Sequence, residues 1–367
     1  MRTVLRAFLW IVGFLLVVFA IAVWWLVYRP LPQLDGSIAV AGLSQQVSVE
    51  RDNWGIPRIR AASVEDLAEA QGYVLAQDRL WQMDLLRRVG RGRLSEILGP
   101  ATINIDKEFR NFNFSRAAER DAQQMDPESR KIMEAYARGV NRFIEQHPSR
   151  LPIEFSLLKY KPEPWQVSDS LVIAGYMYRT LTDTRHAELH RAAILAKVSP
   201  DLAKDLFSEE ASMDHFVVGD PNVEKNPHVL SQADPDDDDD DEMDYDDVLK
   251  ANRVLPDKRD SFVGPDITSA LAANVSDWLE AGQRDVRRML GSNNWVVNGA
   301  HTATGKPLLA NDTHLELTIP PIWYEVHLTA PGWNVKGFTL PGAPMVVIGH
   351  NDRIAWGFTN KQNARSA

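Results

Sequence analysis

Hydrophobic and polar residues follow four successive patterns along this chain. An uncharged apolar run comes first, and apolar positions at helical spacing follow it. The periodicity then fades into an acidic, proline-containing stretch, after which short apolar runs alternate with turn residues. These patterns predict four regions: an N-terminal anchor or signal segment (1–30), a mainly helical region (31–208), an irregular spacer (209–291) and a strand-rich region (292–367).

The N-terminal run has the length of a membrane-spanning helix. Arg2 and Arg6 precede an uncharged stretch from Ala7 to Tyr28, which is 22 residues long. A helix of that length rises about 33 Å, enough to cross the hydrocarbon core of a bilayer. Basic residues on the N-terminal side predict that the remainder lies outside the cytoplasm. We therefore expect a protein anchored in the inner membrane that faces the periplasm or the exterior.

A cleaved signal peptide is the alternative for this segment. Ala20-Ile21-Ala22 resembles a signal-peptidase site. The apolar run continues for six residues beyond it, and Trp24, Trp25 and Tyr28 crowd its distal end as an aromatic belt would. The longer run favours an uncleaved anchor.

The helical region contains one long helix with a clear start signal. Ser63 and Asp66 form a capping-box pattern, so the helix should run from Val64 to about Arg88 and end at Gly90. Its apolar positions, which we expect to face the core, are Leu67, Ala70, Val74, Leu75, Leu80, Met83 and Leu86.

Other elements are predicted before and after this helix. Residues 46–59 have the pattern of extended chain with a central turn, and residues 115–145 and 167–207 that of further helices. The apolar residues around Trp295 suggest that the first strand after residue 291 is buried. The predicted strands of this last region are Asn294–Asn298, Leu308–Ala310, Trp323–Leu328, Trp333–Leu340, Met345–Ile348 and Ile354–Phe358.

Charge and composition change this picture in one place. The formal net charge is −10, but Asp234 to Asp247 contains eleven acidic residues and no basic one, which leaves about +1 for the rest. A segment so charged cannot bury a core, and it lacks the glycine and ligand spacing of an EF-hand loop, which favours a solvated spacer. The near-neutral remainder offers no basic surface for nucleic acid. The absence of cysteine excludes disulfides and thiolate metal sites.

Common catalytic motifs do not explain the chain. It contains no G-x-S-x-G elbow, no Walker loop and no G-x-G-x-x-G. His186 and His190 lie four residues apart, but zinc hydrolases place a glutamate directly after the first histidine, whereas Ala187 follows here. We therefore expect a surface or packing role for this histidine pair.

The Gly291–Ser292 step in GSNNWVVNGA has two interpretations. One is a loop that enters a strand. The other is a peptide bond that is cut to leave Ser292 as a new N-terminus. An N-terminal serine carries its own base, because an α-amino group has an ordinary pKa of about 7.7–8.0. Glycine before the serine would permit the backbone geometry that such a cleavage requires.

Several longer segments carry a more specific signal than any single motif. The first half contains RDNWGIPRIRA, DLAEAQGYVLAQDRLWQMDLLRRVGRGRLSEILG and KPEPWQVSDSLVI. The second half contains GSNNWVVNG, GKPLLANDTHLEL, PPIWYEVHL and GFTLPGAPMVVIGHNDRIAWGFTN. In this order they resemble the α-chain and the start of the β-chain of penicillin acylases, which are N-terminal-nucleophile hydrolases. The resemblance spans about residues 46–207 and 292–360.

This resemblance implies an α+β or α/β fold, in which a helical α-region precedes the opening strands of an αββα core. It also implies an amide hydrolase that works through an acyl-enzyme. Ser292 matches the nucleophile that self-cleavage after Gly291 exposes, which would give an α/β heterodimer. His314 matches a position beside the amine of the nucleophile. Asn360 matches the residue whose backbone N–H supplies half of the oxyanion hole.

The resemblance also indicates a substrate class and a metal. A histidine at position 314 is typical of cephalosporin and acyl-homoserine-lactone acylases. Three aliphatic residues match acyl-pocket positions and suit an alkyl chain, with core packing as the alternative: Leu315, Val347 and Ile348. The favoured small-molecule substrate is therefore an aliphatic acyl amide such as an acyl-homoserine lactone, and a β-lactam acyl amide comes second. Arg179 lies near a substrate-gating position, and Glu188 roughly matches a ligand of a structural calcium ion.

The end of the chain departs from the family pattern. After GFTN the sequence becomes KQNARSA, so that Ala364 and Ala367 stand where ligand carboxylates are expected. The downstream asparagine that completes the oxyanion hole is absent. We therefore expect a truncated chain that by itself has little or no acylase activity and does not cleave itself. A catalytically inactive, membrane-anchored fragment is the alternative function.

Overall fold

The computed structural model of the protein describes residues 2–181, 191–207, 291–315 and 318–359. The chain forms two compact units, one of Met1–Asp183 with Pro265–Ala367 and one of Thr184–Gly264. Several sequence predictions fall outside the described residues: the acidic spacer, His186, Glu188, His190, Asn360, Ala364 and Ala367.

The first unit combines helices and strands. Its helices are α1 (Arg2–Val23), α2 (Val64–Arg91), α3 (Ser95–Leu98), α4 (Ile103–Phe112), α5 (Phe114–Gln124), α6 (Pro127–Gln146), α7 (Ile153–Leu157) and α8 (Val167–Leu181). Its strands are β1 (Ser48–Arg51), β2 (Pro57–Arg60), β3 (Gly291–Val297), β4 (Leu308–His314), β5 (Tyr324–Ala330), β6 (Trp333–Thr339), β7 (Ile348–Asn351) and β8 (Ala355–Trp356). The mixed helix-and-sheet composition agrees with the predicted fold class.

The second unit is described only over residues 191–207. It contains α9 (Pro200–Leu206), which begins with a proline in its first turn. The Ser199 side chain caps this helix by accepting a hydrogen bond from the Leu202 backbone N–H.

Helix α1 continues into a π-helical turn, Trp24–Tyr28. The helical stretch from Thr3 to Tyr28 is long and apolar enough to cross a membrane, and none of its most apolar part is buried against the protein. A membrane anchor and a signal sequence both have these properties.

Helix α2 lies at the centre of the first unit. All seven apolar positions predicted for it are buried. The Ser63 hydroxyl accepts a hydrogen bond from the Asp66 N–H, as the capping pattern predicts. The predicted end at Gly90 is wrong, because the helix ends at Arg91 and Gly92 adopts the left-handed conformation that closes it. Gly90 instead allows α8 to cross closely, since a Cβ there would lie 2.3 Å from a Val172 methyl carbon.

Buried charges join α2 to α8. The Asp169 carboxylate of α8 accepts hydrogen bonds from Arg87, at 3.2 Å, and from Arg91, at 2.8 Å. Asp84 of α2 accepts from Arg87 at 2.8 Å and from Arg88 at 2.9 Å. Each buried carboxylate therefore has two arginine partners, which compensates for its loss of hydration.

The strands form two separate sheets. The larger sheet has the order β1-β2-β5-β6-β7-β8, in which β2 and β5 are parallel and the other pairs are antiparallel. The smaller sheet is an antiparallel ribbon of β3 and β4. Strands from both halves of the chain therefore share the larger sheet.

Three strand predictions need correction. Strand β3 begins at Gly291 rather than at Asn294, and its expected burial is wrong, because Trp295 is 64% and Val296 is 72% exposed. Strand β4 continues to His314 instead of ending at Ala310. Strand β7 starts only at Ile348, since Met345, predicted to begin a strand, has a positive φ of 65°.

The Gln71 side chain explains the conformation before β7. Gln71 of α2 is completely buried. Its amide donates to the Met345 carbonyl oxygen at 3.0 Å and accepts from the Met345 N–H at 2.7 Å. Both backbone groups of Met345 are thus bonded to a helix instead of to a neighbouring strand.

Candidate active site

The β3–β4 ribbon places the predicted nucleophile beside the predicted histidine. In its register Gly291 pairs with His314 and Ser292 pairs with Thr313. The peptide bond between Gly291 and Ser292 therefore lies across from the last two residues of β4. Two segments that are separated by the turn at residues 298–307 are brought together in this way.

The two faces of the ribbon carry different groups. Because side chains alternate along a strand, Ser292, Thr313 and Asn311 share one face. His314 and Asp312 share the opposite face. The imidazole of His314 is thus placed next to the backbone of Gly291, and the hydroxyl of Ser292 projects to the other side.

Asp312 orients the His314 ring. Nε2 of His314 lies 2.8 Å from Oδ2 of Asp312, and both side chains are exposed. An ionised carboxylate only accepts hydrogen bonds, so in the neutral imidazole this contact places the ring proton on Nε2. Nδ1 then has a free lone pair, and the described residues provide it with no hydrogen-bond partner.

Asn311 attaches the ribbon to the segment after β8. Its side-chain amide donates to the carbonyl oxygens of Asn293, at 3.0 Å, and Phe358, at 2.9 Å. Its side-chain oxygen accepts from the Phe358 N–H at 2.9 Å. Both backbone groups of Phe358 are therefore held by one side chain, which we call the Asn311 clip.

The clip brings Thr359 to the nucleophile. The Thr359 hydroxyl donates to the carbonyl oxygen of Ser292 at 2.9 Å. Gly357 permits this close approach, because a Cβ at that position would lie 2.5 Å from the side-chain oxygen of Asn311. The predicted oxyanion residue Asn360 follows Thr359 in the chain but lies outside the described residues.

A further contact on the same face of the ribbon attaches it to the residue before β5 of the larger sheet. The Trp323 indole N–H donates to the Thr313 hydroxyl at 3.0 Å. Trp323 directly precedes β5, whose first residue is Tyr324. The residue opposite Ser292 is thereby fixed to the sheet that both halves of the chain build.

The predicted acyl-pocket residues lie on two elements. Leu315 follows His314 and packs, half-buried, against the main hydrophobic core. Val347 and Ile348 lie at the start of β7, also half-buried. The Val347 N–H donates to the Phe338 carbonyl at 2.8 Å, and its carbonyl accepts from the Trp356 indole at 2.9 Å.

Arg179 lies in an ion pair with Glu108 that is partly buried. Its guanidinium donates to Oε1 of Glu108, with a shortest distance of 2.5 Å, and stands 5.2 Å from the centre of the Phe112 ring. Arg179 thus joins α8 to α4. Its predicted position near a substrate gate stays a prediction.

A calcium site stays an expectation of the resemblance. Among the residues that the structure describes, no three His, Asp or Glu side chains come together as a possible metal site. Glu188 lies outside those residues.

Sequence reasoning assigned no role to three residues of this site: Asn311, Asp312 and Thr359. Asn311 and Asp312 lie in the NDTH segment and Thr359 in the GFTN segment, both of which were part of the family resemblance. The two segments come together only in the folded chain, since Asn311 and Phe358 are 47 residues apart. The sequence therefore contained these residues within the matching segments, but it did not indicate that they contact each other.

The comparisons with known proteins define the class. The model of the family described as Penicillin amidase matches residues 46–366, so the chain belongs to this family. The resemblance inferred from the quoted segments is confirmed.

Two acylases are similar to this chain over most of its length. Acyl-homoserine lactone acylase QuiP of Pseudomonas aeruginosa is 30% identical over 329 residues, which are 90% of this chain and 35% of that protein. Penicillin acylase 2 proenzyme of Pseudomonas sp. (strain SE83) is 33% identical over 331 residues, 90% of this chain and 38% of that protein. The chain thus spans little more than one third of the length of these relatives.

A solved structure is also similar, a thermostable penicillin G acylase from Alcaligenes faecalis. It shares 30% sequence identity with a TM-score of 0.43, and the match covers 48% of this chain and 98% of that one.

Proposed function

We propose that this chain carries the nucleophile of an amide hydrolase of the penicillin acylase type. The observation that carries the proposal is the ribbon register, in which the Gly291–Ser292 bond faces His314 and Thr313. Membership of the penicillin amidase family supports the same assignment of the nucleophile. The Thr359 hydroxyl, one residue before Asn360 in the sequence, donates to the Ser292 carbonyl, which supports a role of the GFTN segment in the site.

The first proposed step is self-cleavage. The Ser292 hydroxyl oxygen adds to the carbonyl carbon of Gly291, the C–N bond breaks, and an ester with a free Ser292 amine results. Water then hydrolyses the ester to the Gly291 carboxylate and restores the hydroxyl. The products are an α-part and a β-part that begins at Ser292, which together form a heterodimer.

The second step is hydrolysis of the substrate amide. Ser292 Oγ attacks the amide carbonyl, and its own α-amine takes the proton and passes it to the leaving amine. Nδ1 of His314, with Nε2–H directed to Asp312, provides a lone pair that can orient or assist the amine. The backbone N–H of Asn360 is the proposed oxyanion donor. Water then releases the acid and regenerates Ser292.

The substrate proposed is an aliphatic acyl amide such as an acyl-homoserine lactone, with a β-lactam acyl amide second. The aliphatic character of Leu315, Val347 and Ile348 supports an alkyl acyl group. The relatives include both an acyl-homoserine lactone acylase and penicillin acylases, which agrees with this pair of candidates.

We also propose that α1 anchors the protein in the inner membrane with the catalytic part outside the cytoplasm. Its length and its basic start support this topology. A structural calcium ion, with Glu188 as one ligand, is carried over from the family resemblance alone.

The test is made on the protein isolated from its source cells. Intact-mass measurement should show a polypeptide that begins at Ser292. Mass spectrometry of the reaction should show the acid and amine released from an N-dodecanoyl homoserine lactone faster than from benzylpenicillin. Ser292→Ala should abolish both the cut and the turnover. Ser129→Ala, a surface change on α6, is the matched control and should leave both intact.

Two results would contradict the proposal. One is turnover that persists in Ser292→Ala at the wild-type rate, which would move the nucleophile elsewhere. The other is an uncut protein without amidase activity, which is the outcome expected from the departure after GFTN and would favour the inactive fragment instead.

A further inference from the structure

A cleft of about 470 Å³ lies where α2 bends. Arg79 leaves the helical conformation there, with φ −141° and ψ 15°. Its side chain lines the cleft together with Pro32, Trp54, Ile56 and Tyr324. Trp323, which donates to Thr313 of the ribbon, also lines the cleft, but the proposed catalysis uses none of the other lining residues.

The surroundings of Arg79 offset its charge only in part. Its guanidinium stands 5.7 Å from the centre of the Tyr324 ring, and it forms no hydrogen bond or ion pair within the described residues. Neighbouring Arg51 is different, because it donates two hydrogen bonds to Asp78, at 2.8 and 3.0 Å. The Tyr324 hydroxyl also donates to Asp78, so this carboxylate is already satisfied.

The pKa values follow this difference. Burial lowers the pKa of the Arg79 guanidinium, and the nearby Tyr324 and Asp78 compensate only in part. Burial acts in the same direction on Arg51, but the hydrogen bond and charge of Asp78 raise its pKa above the ordinary value. An anion in the cleft would give Arg79 the partner that Arg51 already has.

The other acidic group of the cleft would not oppose such an anion strongly. Glu325 lines the cleft, and its carboxylate lies 3.3 Å from the Lys336 ammonium. The charge of Arg79 is therefore only partly compensated, and its guanidinium offers five N–H donors in a planar fork that matches phosphate oxygens.

The chain connects this cleft closely to the apolar N-terminal helix. That helix ends at Tyr28, and Pro32 is already part of the cleft wall. Gln77 donates to the Gln33 carbonyl oxygen at 2.6 Å, which fixes this segment beside the bend. The four residues from Tyr28 to Pro32 span at most about 14 Å, and the headgroup layer of a bilayer leaflet is roughly 5–7 Å thick. If the helix spans a membrane, the cleft therefore lies close to the headgroups.

The surface of the cleft also suits an interface with lipid. Trp54 is 88% exposed, and tryptophan is enriched where membranes meet water. Trp54 and Ile56 supply apolar surface to the same cleft that Arg79 lines.

We propose that this cleft binds a phosphate group, that of a lipid headgroup, through Arg79, with Trp54 and Ile56 packed against the adjoining carbons. The choice of a lipid as the source rests on the membrane anchor proposed above. The site itself does not depend on amide hydrolysis.

Two water-soluble probes test the site on the full chain in a neutral detergent: glycerophosphoglycerol, which is a lipid headgroup without acyl chains, and inorganic phosphate. Isothermal titration calorimetry should show that the headgroup probe binds more tightly. Arg79→Gln should weaken its binding by at least about tenfold, because a charge-assisted hydrogen bond is lost. Trp54→Ala should weaken the binding of the headgroup probe and leave the binding of inorganic phosphate unchanged.

Two controls accompany these variants. Arg60→Gln removes the same charge from an exposed arginine and should bind both probes like the wild type. Circular dichroism checks that Arg79→Gln is folded, and Trp54→Ala changes a side chain too exposed to affect folding.

The outcomes separate the parts of the inference. Absence of saturable binding, or unchanged binding in Arg79→Gln, would overturn the site. Equal affinity for both probes with no effect of Trp54→Ala would overturn the lipid assignment in favour of a free anion. Cell fractionation tests the anchor separately: a protein released without α1 that still binds through Arg79 would exclude the lipid and keep the site.

Discussion

Asn311→Ala tests how the two sides of the candidate site are held together. The substitution removes three hydrogen bonds, to the carbonyls of Asn293 and Phe358 and from the Phe358 N–H. Each such bond contributes about 0.5–1.5 kcal/mol net. Because water reaches this surface and replaces part of the loss, we expect a local destabilisation of about 1–3 kcal/mol rather than the full sum.

Hydrogen exchange measures this loss directly. If the clip closes residues 357–359 onto the ribbon, the Phe358 amide should exchange about 5- to 150-fold faster in Asn311→Ala. Amides of α2 should keep their wild-type rates, because they belong to the helical core. Asn311→Asp keeps the acceptor but places a charge against two carbonyl oxygens, so it should also open the segment.

Asn293→Ala is the matched control for the clip. Its side chain is exposed, and only its backbone carbonyl takes part in the clip, so exchange at Phe358 should not change. An unchanged Phe358 amide in Asn311→Ala would refute the reasoning and show that other contacts hold Thr359 beside Ser292.

Three further predictions concern the helical core and the anchor. Gln71→Leu leaves the backbone N–H and C=O of the half-buried Met345 without their Gln71 partner, so urea unfolding should show a loss of about 1–3 kcal/mol, whereas full stability would contradict the role of this contact. Burial acts to raise the pKa of Asp66, but hydrogen bonds from the N–H and hydroxyl of Ser44 prevail and lower it. Because the pKa of Asp66 is lower in the folded than in the unfolded state, the ionised carboxylate stabilises the fold above about pH 4, and this stabilisation is lost as the pH falls through the folded-state pKa. The decrease in the free energy of unfolding at acid pH should therefore be smaller in Asp66→Asn than in the wild type. An identical pH profile of stability in the two proteins would contradict this role of Asp66. Deletion of residues 1–30 should move the protein from the membrane to the soluble fraction, and a wild-type protein found soluble and starting at Val23 would show a cleaved signal instead.

The sequence predicted the helices best where the signal is local. The Ser63 cap and the buried face of α2 follow from residues within a few turns of each other. The end at Gly90 was wrong because that glycine serves a contact with Val172, 82 positions away, and glycine at a helix end and glycine at a helix crossing look alike in sequence.

Strand boundaries and contacts within the site depended on distant partners. Met345 is apolar and precedes two valines, so the pattern favours a strand, but Gln71 holds its backbone 274 positions away. The resemblance to the family identified Ser292 and His314. The residues near them in sequence do not indicate that Asn311 and Thr359 hold the ribbon in place through hydrogen bonds.

The topology of the larger sheet determines whether the protein could refold after cleavage of the Gly291–Ser292 bond. Strands β1 and β2 come from before Gly291, and β5–β8 come from after it, so the parallel seam of β2 with β5 would become a junction between two polypeptides. In the uncut precursor the two edges are on one molecule, and their meeting does not depend on concentration. Once the bond is broken, the two unfolded polypeptides must meet by diffusion, so refolding becomes a bimolecular reaction. Aggregation through exposed strand edges can then be faster than refolding. A cut at Gly291 would thus make folding a one-way event, in which the precursor assembles what the mature molecule cannot readily reassemble.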